Sequence, residues 1–299
     1  MTDNARGIVA VLIASTAFVL NDALVKAVSS EIPSGEIIIV RGALATVMLC
    51  IGVIAFGAAR PLAILFSPMM LLRLASAAGA TMFIVISLRY LPLATVVTVL
   101  QVTPLAVTAG AAIIYGERVG WRRWLAALVG FLGVALIVRP GVGFGAAGIL
   151  ALATLVFTTM RDLTTRGLHR DIPSIFVAAA SAAAITLAGI LVIPFDAPWS
   201  MPSSWAWALM TLSAACLFVA NTFVIMALRT GEISVIAPFR YTQVPLSILL
   251  GFGWWGEMPD GIAFLGIGFV LAAGAYTLHR ERRSFTGKRA AVPQRSPAQ

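Results

Sequence analysis

Residues 90–116 read YLPLATVVTVLQVTPLAVTAGAAIIYG, a stretch without a single Asp, Glu, Lys or Arg. It is longer than the ~18 apolar residues that one membrane-crossing helix requires. Gly42–Ala59, Pro140–Met160, Ile172–Phe195 and Ala197–Leu228 are equally free of charge. The chain has 299 residues, 60% of them hydrophobic and only 11% charged, whereas a soluble domain carries roughly 25% charged residues. Too little polar surface remains to wrap a water-soluble globule, so the fold class is all-α integral membrane. A membrane β-barrel would show alternating segments of about ten residues, and that pattern is missing. The net charge of +9 would suggest nucleic acid in a soluble chain. In a membrane chain it is read by its position relative to the bilayer, and no nucleic-acid partner is implied.

Cutting at charges, prolines and turn residues gives ten spans of roughly 20 residues each. Their limits are 7–28, 36–58, 68–88, 92–115, 121–138, 146–167, 173–194, 204–228, 233–255 and 260–279. The first is read as a span rather than a signal peptide, since no small-residue cleavage site follows Arg6 and the rest of the chain is equally apolar. With the N-terminus in the cytoplasm, 16 of the 21 basic residues fall inside, among them Arg60, Arg73, Arg122, Arg123, Arg161, Arg166 and the tail from Arg280. Only Lys26, Arg89 and Arg139 fall at outer ends. The positive-inside rule therefore predicts a multi-pass protein of a bacterial inner membrane with both termini cytoplasmic. Trp121, Trp124, Trp199, Trp205, Trp207, Trp254 and Trp255 fall at the expected interfaces, where an amphipathic ring prefers to sit. Residues 284–299 read as a disordered cytoplasmic tail. Cys50 and Cys216 lie in apolar runs and are expected to be buried free thiols.

Sliding the chain against itself aligns landmarks at one offset of 140. Asp22 meets Asp162, Ile32-Pro33-Ser34 meets Ile172-Pro173-Ser174, Phe83 meets Phe223, Leu88-Arg89 meets Leu228-Arg229, Gly116-Glu117 meets Gly256-Glu257 and Leu125 meets Leu265. Two repeats follow, residues 1–140 and 141–283. Five spans per repeat is an odd number, so the second copy lies inverted. The loop GERVGWRR after span four is strongly basic, and its counterpart GEMPDG after span nine holds no basic residue. Inverted repeats of this kind mark secondary transporters, in which a midplane site is exposed alternately to the two sides.

The run RYLPLATVVTVLQVTPLAVTAGAAIIYGERVGWRRWLAALVGFLGVALIVRPG closely resembles the signature of EamA-type carriers in the drug/metabolite transporter superfamily. FVLNDALVK followed by Arg41 is similar to that family's first hairpin, and FRYTQVPLSILLGFGWWGEMPDG keeps its Gly-Glu. The resemblance covers nearly the whole chain. It implies ten helices in two inverted five-helix repeats around a central cavity lined mainly by spans three, four, eight and nine, and the export of amino acids and related metabolites. Uptake of riboflavin-like, nucleoside-like or S-adenosylmethionine-like metabolites is the alternative within the same family.

Polar groups inside the membrane are costly, about 2.5–3.5 kcal/mol for a charge at a helix centre, so each needs a partner or a cavity. Arg240 stands roughly 10 Å into span nine by helical rise, beside Tyr241. Its functional reading is a cation that holds a substrate carboxylate, and its structural reading is an Arg snorkelling to the inner interface. Pro104 and Pro245 interrupt spans four and nine 141 residues apart. Proline removes a backbone donor and frees carbonyls, which survive in a membrane only where protein or cavity water satisfies them. The bends are therefore expected to be hinges facing the cavity. Around them Thr98, Gln101, Thr103, Tyr241 and Gln243, with Thr81 and its repeat mate Asn221, form the expected substrate-binding set, although each alone is more often interhelical glue. Asp22 and Arg41 come to similar depth near the outer end. They read either as an ion pair or, for Asp22, as a proton-coupling carboxylate. Asp22 could also pair with Lys26 one helical turn on. Glu117 and Glu257 read as structural residues of matching helix–turn–helix corners.

His169 and His279 sit at cytoplasmic ends without a ligand cluster, so neither metal nor cofactor is expected. An intramembrane enzyme would need a nucleophile–base pair or HExxH-type ligands, and a channel a ring of like charges. Neither pattern is present. A scaffold without a transport role stays open. With no ATP-binding motif, movement would follow the gradient of a small-molecule substrate or of an ion, in a chain expected to work as a monomer within the lipid bilayer.

Overall fold

The computed structural model describes residues 3–117, 119–139, 145–169, 171–195, 198–199, 201–230 and 233–290. Among these residues the fold is helical throughout, with no strand. Helices α1 (Asp3–Val28), α2 (Ser34–Ala55), α3 (Pro68–Tyr90), α4 (Leu93–Leu100), α5 (Thr103–Ile114) and α6 (Trp121–Val138) occupy the first half. Helices α7 (Gly145–Gly167), α8 (Ser174–Val192), α9 (Ser204–Thr230), α10 (Ile233–Ile236), α11 (Gln243–Trp255) and α12 (Gly261–Ala290) occupy the second. Eight segments among the described residues are long and apolar enough to cross a membrane, with α4 and α5 together forming one of them, Leu93–Ile114. The expected ninth span is broken into α10, a 3-10 segment Ala237–Thr242, and α11, so none of its pieces reaches that length. The apolar part of α12 is the shorter stretch Gly261–Thr277. The helix nevertheless continues into the expected tail as far as Ala290, and residues 291–299 of that tail lie outside the described residues.

The two halves interlock instead of folding as separate bundles. Helix α1 packs along α9, α2 along α8, α3 along α7, α6 along α12 and α4 against α11. Small residues permit these approaches, because without a hydrophobic drive between helices in lipid the backbones must come close to gain dispersion contacts. A Cβ at Gly133 would stand 2.7 Å from the Gly266 carbonyl, and one at Gly266 would stand 2.6 Å from the Gly133 carbonyl. Gly79, within the small-residue run of α3, receives the ring of Phe157 from α7. Across α2 and α8 the hydroxyls of Thr46 and Thr186 are 3.5 Å apart.

The starts of α9 and α12 carry side-chain caps. The Ser203 hydroxyl accepts the Ala206 N–H at 3.0 Å at the start of α9, and the Asp260 carboxylate accepts the Ala263 N–H at 2.9 Å at the start of α12. Arg139 also pairs with Asp260. That hydrogen bond, with the helix N–H, holds the exposed Asp260 carboxyl below the usual carboxylate range. Both cysteines are free thiols. Cys50 is exposed on α2 and only Cys216 is partly covered, so the expected burial by protein fails for Cys50: the lipid side of an apolar helix tolerates a thiol as well as a core does.

Candidate functional site

The break in the fourth span falls at Gln101 and Val102, between α4 and α5, with Pro104 at the start of α5. Proline is tolerated there because the first-turn N–H groups of a helix have no intrahelical acceptor. The ninth span breaks over Ala237–Thr242, and Pro245 follows in the first turn of α11. In both, a threonine hydroxyl reaches three residues back to a carbonyl: Thr103 to Leu100 at 2.6 Å and Thr242 to Phe239 at 2.6 Å. The groups loosened at the breaks are thus satisfied within the protein.

Where the two breaks meet, the Gln101 amide donates to the Gln243 carbonyl oxygen at 3.1 Å. Gln243 in turn donates to the Ser15 hydroxyl of α1 at 3.5 Å. This chain of three side chains links α1, the fourth span and the ninth. Gln101 is 8% exposed, so the amide pair sits inside the helix bundle. Each Gln brings a donor and an acceptor, and an amide pair lets a ligand substitute for one partner without stranding a charge.

The other expected residues divide. Tyr241, next to this pair, lies against Gly274 of α12 so closely that a methyl there would overlap its hydroxyl. Arg240 is exposed on the same 3-10 segment. Thr98 is fully buried with its hydroxyl on the Ala94 carbonyl at 2.7 Å. Thr81 is half-buried on α3. Asn221 is exposed on α9 and donates to its own helix at Leu217, 2.8 Å away. Thr81 and Asn221 therefore do not join the Ser15–Gln243–Gln101 chain.

On α1, Asn21 stands between Asp22 and Arg41. Its amide donates to Asp22 Oδ1 at 2.9 Å, and its carbonyl oxygen accepts from Arg41 Nη1 at 3.4 Å and from the Ser213 hydroxyl at 2.8 Å. Asn21 thus bridges Asp22 and Arg41, the two residues expected to come to similar depth. Lys26 turns away from Asp22 and pairs with Glu257, Nζ to Oε1 2.7 Å. Sequence reasoning missed Ser15, Asn21, Ser213 and the partner of Lys26. Lys26 did carry a signal, for its mate at the offset of 140 is the basic Arg166.

Among the described residues no group of three or more His, Cys, Asp or Glu is placed to hold a metal ion.

Residues 5–139 match the model of the EamA-like transporter family. The match covers just under half of the chain. The chain is 26% identical to a riboflavin transporter of Rhizobium johnstonii over 67% of its own length and 66% of the relative's. It is 25% identical to the pseudopaline exporter CntI of Pseudomonas aeruginosa over 93% of its length and 97% of that protein's. It is 23% identical to an S-adenosylmethionine uptake transporter of Rickettsia prowazekii over 66% and 67%. The alignment thus spans just under two thirds of the riboflavin transporter and nearly all of the exporter. A solved protein structure shares the fold at a TM-score of 0.63 with 20% identity, covering 92% of this chain and 98% of that one. By their names these relatives are transporters or exporters, and among the described residues of this chain eight helical segments are long and apolar enough to cross a membrane.

Proposed function

We propose that the chain is a secondary transporter that exports amino acids and related small metabolites across a bacterial inner membrane by alternating access. It does so as ten spans in two inverted five-helix repeats, with both termini cytoplasmic. The observation that carries this reading is the way the helices pair. An offset of 140 turns α1 into α7 and α9 into α3, so the α1–α9 pair and the α3–α7 pair exchange under it. The pairs α2–α8 and α6–α12 each map onto themselves. That is the pattern of a pseudo-two-fold axis, and the Thr46–Thr186 contact joins two residues 140 apart.

On this reading Gln101 and Gln243 line the midplane site where the broken fourth and ninth spans meet, with Tyr241 beside them. Broken helices at the repeat interface are where secondary transporters hold their substrates. Arg240, exposed on the loosened 3-10 segment, receives the substrate carboxylate, and Pro104 and Pro245 mark the hinges. The near full-length similarity to an exporter supports export over uptake. The riboflavin and S-adenosylmethionine carriers make uptake of such metabolites the competing outcome.

Counterflow in proteoliposomes decides between them. Vesicles preloaded with a panel of unlabelled amino acids should accumulate the matching labelled amino acid saturably. The Arg240→Gln protein should lose amino acids far more than their carboxyl amides. Counterflow with riboflavin or S-adenosylmethionine but with no amino acid would overturn the substrate class.

A further inference from the structure

An ion pair between a buried lysine and a half-buried glutamate, which the substrate site does not use, closes the outer end of the bundle. Lys26, 8% exposed near the end of α1, has its Nζ 2.7 Å from Glu257 Oε1. The same ammonium donates to the Leu91 carbonyl at 2.6 Å and stands 5.4 Å from the Trp255 ring centroid. The second carboxylate oxygen of Glu257 accepts the N–H of Leu93, the first residue of α4, at 3.1 Å, an anion at a helix N-terminus where the dipole favours it. The cluster ties together the end of α1, the entry to α4 and the turn after α11. That turn depends on Gly256 at φ +67, a left-handed conformation that disfavours a side chain, and on the Glu257 N–H bonded to the Gly251 carbonyl at 3.0 Å.

The same corner recurs 140 residues earlier, at the opposite end of the bundle. Gly116 has φ +66, and the Glu117 N–H points to the Ala111 carbonyl at 3.4 Å. Under this offset Lys26 corresponds to Arg166, Trp255 to Tyr115 and Leu93 to Ile233. Tyr115 already abuts α7, donating to the Leu163 carbonyl at 3.0 Å. Glu117 and Arg166 are nevertheless both exposed, and among the described residues neither side chain makes a hydrogen bond or ion pair. The helix packing differs in the same sense. At the outer end α4 packs on α11, whereas at the inner end α5 packs on α7 and α6 while α10 packs on α1 and α12.

We propose that Lys26–Glu257 and Arg166–Glu117 are the two alternately closed latches of this carrier. The outer latch is shut in this conformation, and the inner one forms only when the outer one opens. The proposal rests on the inverted-repeat reading above. Its physical basis is that separating a buried ion pair leaves two uncompensated charges. Opening one end admits water to its pair, and the equivalent pair at the other end is buried as that end closes, so the two conformations each keep one buried pair. The balance between them then depends on the difference between the two latches.

The test uses the full chain in membrane vesicles with Cys50→Ala and Cys216→Ala. A Glu117→Cys/Arg166→Cys pair is treated with a short bifunctional methanethiosulfonate. Adding Glu257→Gln, which opens the outer latch, should raise the cross-linking yield at the inner pair by about fivefold through a population shift. The Lys26→Glu/Glu257→Lys exchange should return it to the parent value. In a separate protein, cross-linking a Lys26→Cys/Glu257→Cys pair should arrest counterflow, and thiol reduction should restore it. Yields that are the same in all three backgrounds, or counterflow that survives the outer cross-link, would overturn the latches. If single cysteines at 26 and 117 both react with an impermeant maleimide from the same side of the membrane, the inverted-repeat reading itself fails, whatever the yields.

Discussion

Replacing Gln101 by Leu deletes the donor to Gln243 while roughly preserving side-chain length. The bond removed is 3.1 Å long and its donor is 8% exposed, so water does not freely replace it. Leaving a buried acceptor unsatisfied costs about 1–3 kcal/mol, but interhelical hydrogen bonds in membranes average only about 0.6 kcal/mol and reach about 1.7 at most. The lower figure governs fold stability here, because Gln243 is only half-buried and its freed Oε1 is not sealed from water, while its Nε2 keeps the Ser15 contact at 3.5 Å. The expected loss of stability is therefore about 1 kcal/mol. The Gln101→Leu/Gln243→Leu protein should recover most of it, since replacing both partners with apolar groups is nearly neutral. Transport should behave in the opposite way. On the proposed reading both glutamines offer groups to the substrate, so the single change should weaken counterflow affinity by roughly five- to tenfold, at 1.4 kcal/mol per factor of ten, and the double change should weaken it further. The assay is a double-mutant cycle read twice, by thermal unfolding in detergent and by counterflow KM. Additive Tm changes, with no coupling between the two positions, would refute the amide pair. Unchanged KM in all three variants would remove both glutamines from the substrate site.

The topology predicts that a cysteine in place of Asp260 is labelled by an impermeant reagent added to intact cells, and that one in place of Arg122 is not; the reverse pattern would invert the orientation. Asp22→Asn should abolish any dependence of transport on a pH gradient while leaving substrate exchange intact, and full retention of that dependence would confine Asp22 to its structural network with Asn21. Gly133→Ala should lower Tm, because its methyl would stand 2.7 Å from the Gly266 carbonyl and the α6–α12 pair must separate at about 1–3 kcal/mol. An unchanged Tm there would mean that these helices do not pack backbone to backbone.

Much of the helix layout was legible in the residues. The span expected at 121–138 is α6, Trp121–Val138, and that expected at 68–88 is α3, Pro68–Tyr90, because charge, proline and tryptophan punctuate a membrane helix at the depth where water begins. The interruptions near Pro104 and Pro245 were legible for a similar local reason, since proline acts on its own preceding turn. Side-chain partners were legible only in part. Depth along a helix can be counted from the sequence, but rotation about its axis cannot, so Asp22 and Arg41 were matched for depth while Asn21 occupied the space between them.

The amino-acid sequence by itself determined the membrane setting, the approximate limits of the helices and the internal offset, because each follows from hydropathy and spacing along one chain. It also marked Gln101 and Gln243 as members of one polar set. Tertiary structure alone decided which members touch. Helices of the two halves interlock, so the fourth span meets the ninth and α1 lies along α9. That packing draws Gln101 onto Gln243, leaves Asn221 on an exposed face and carries Lys26 to Glu257. These pairings depend on how close small residues such as Gly133 and Gly266 let the backbones approach, which is a property of two packed surfaces and is written in neither segment alone.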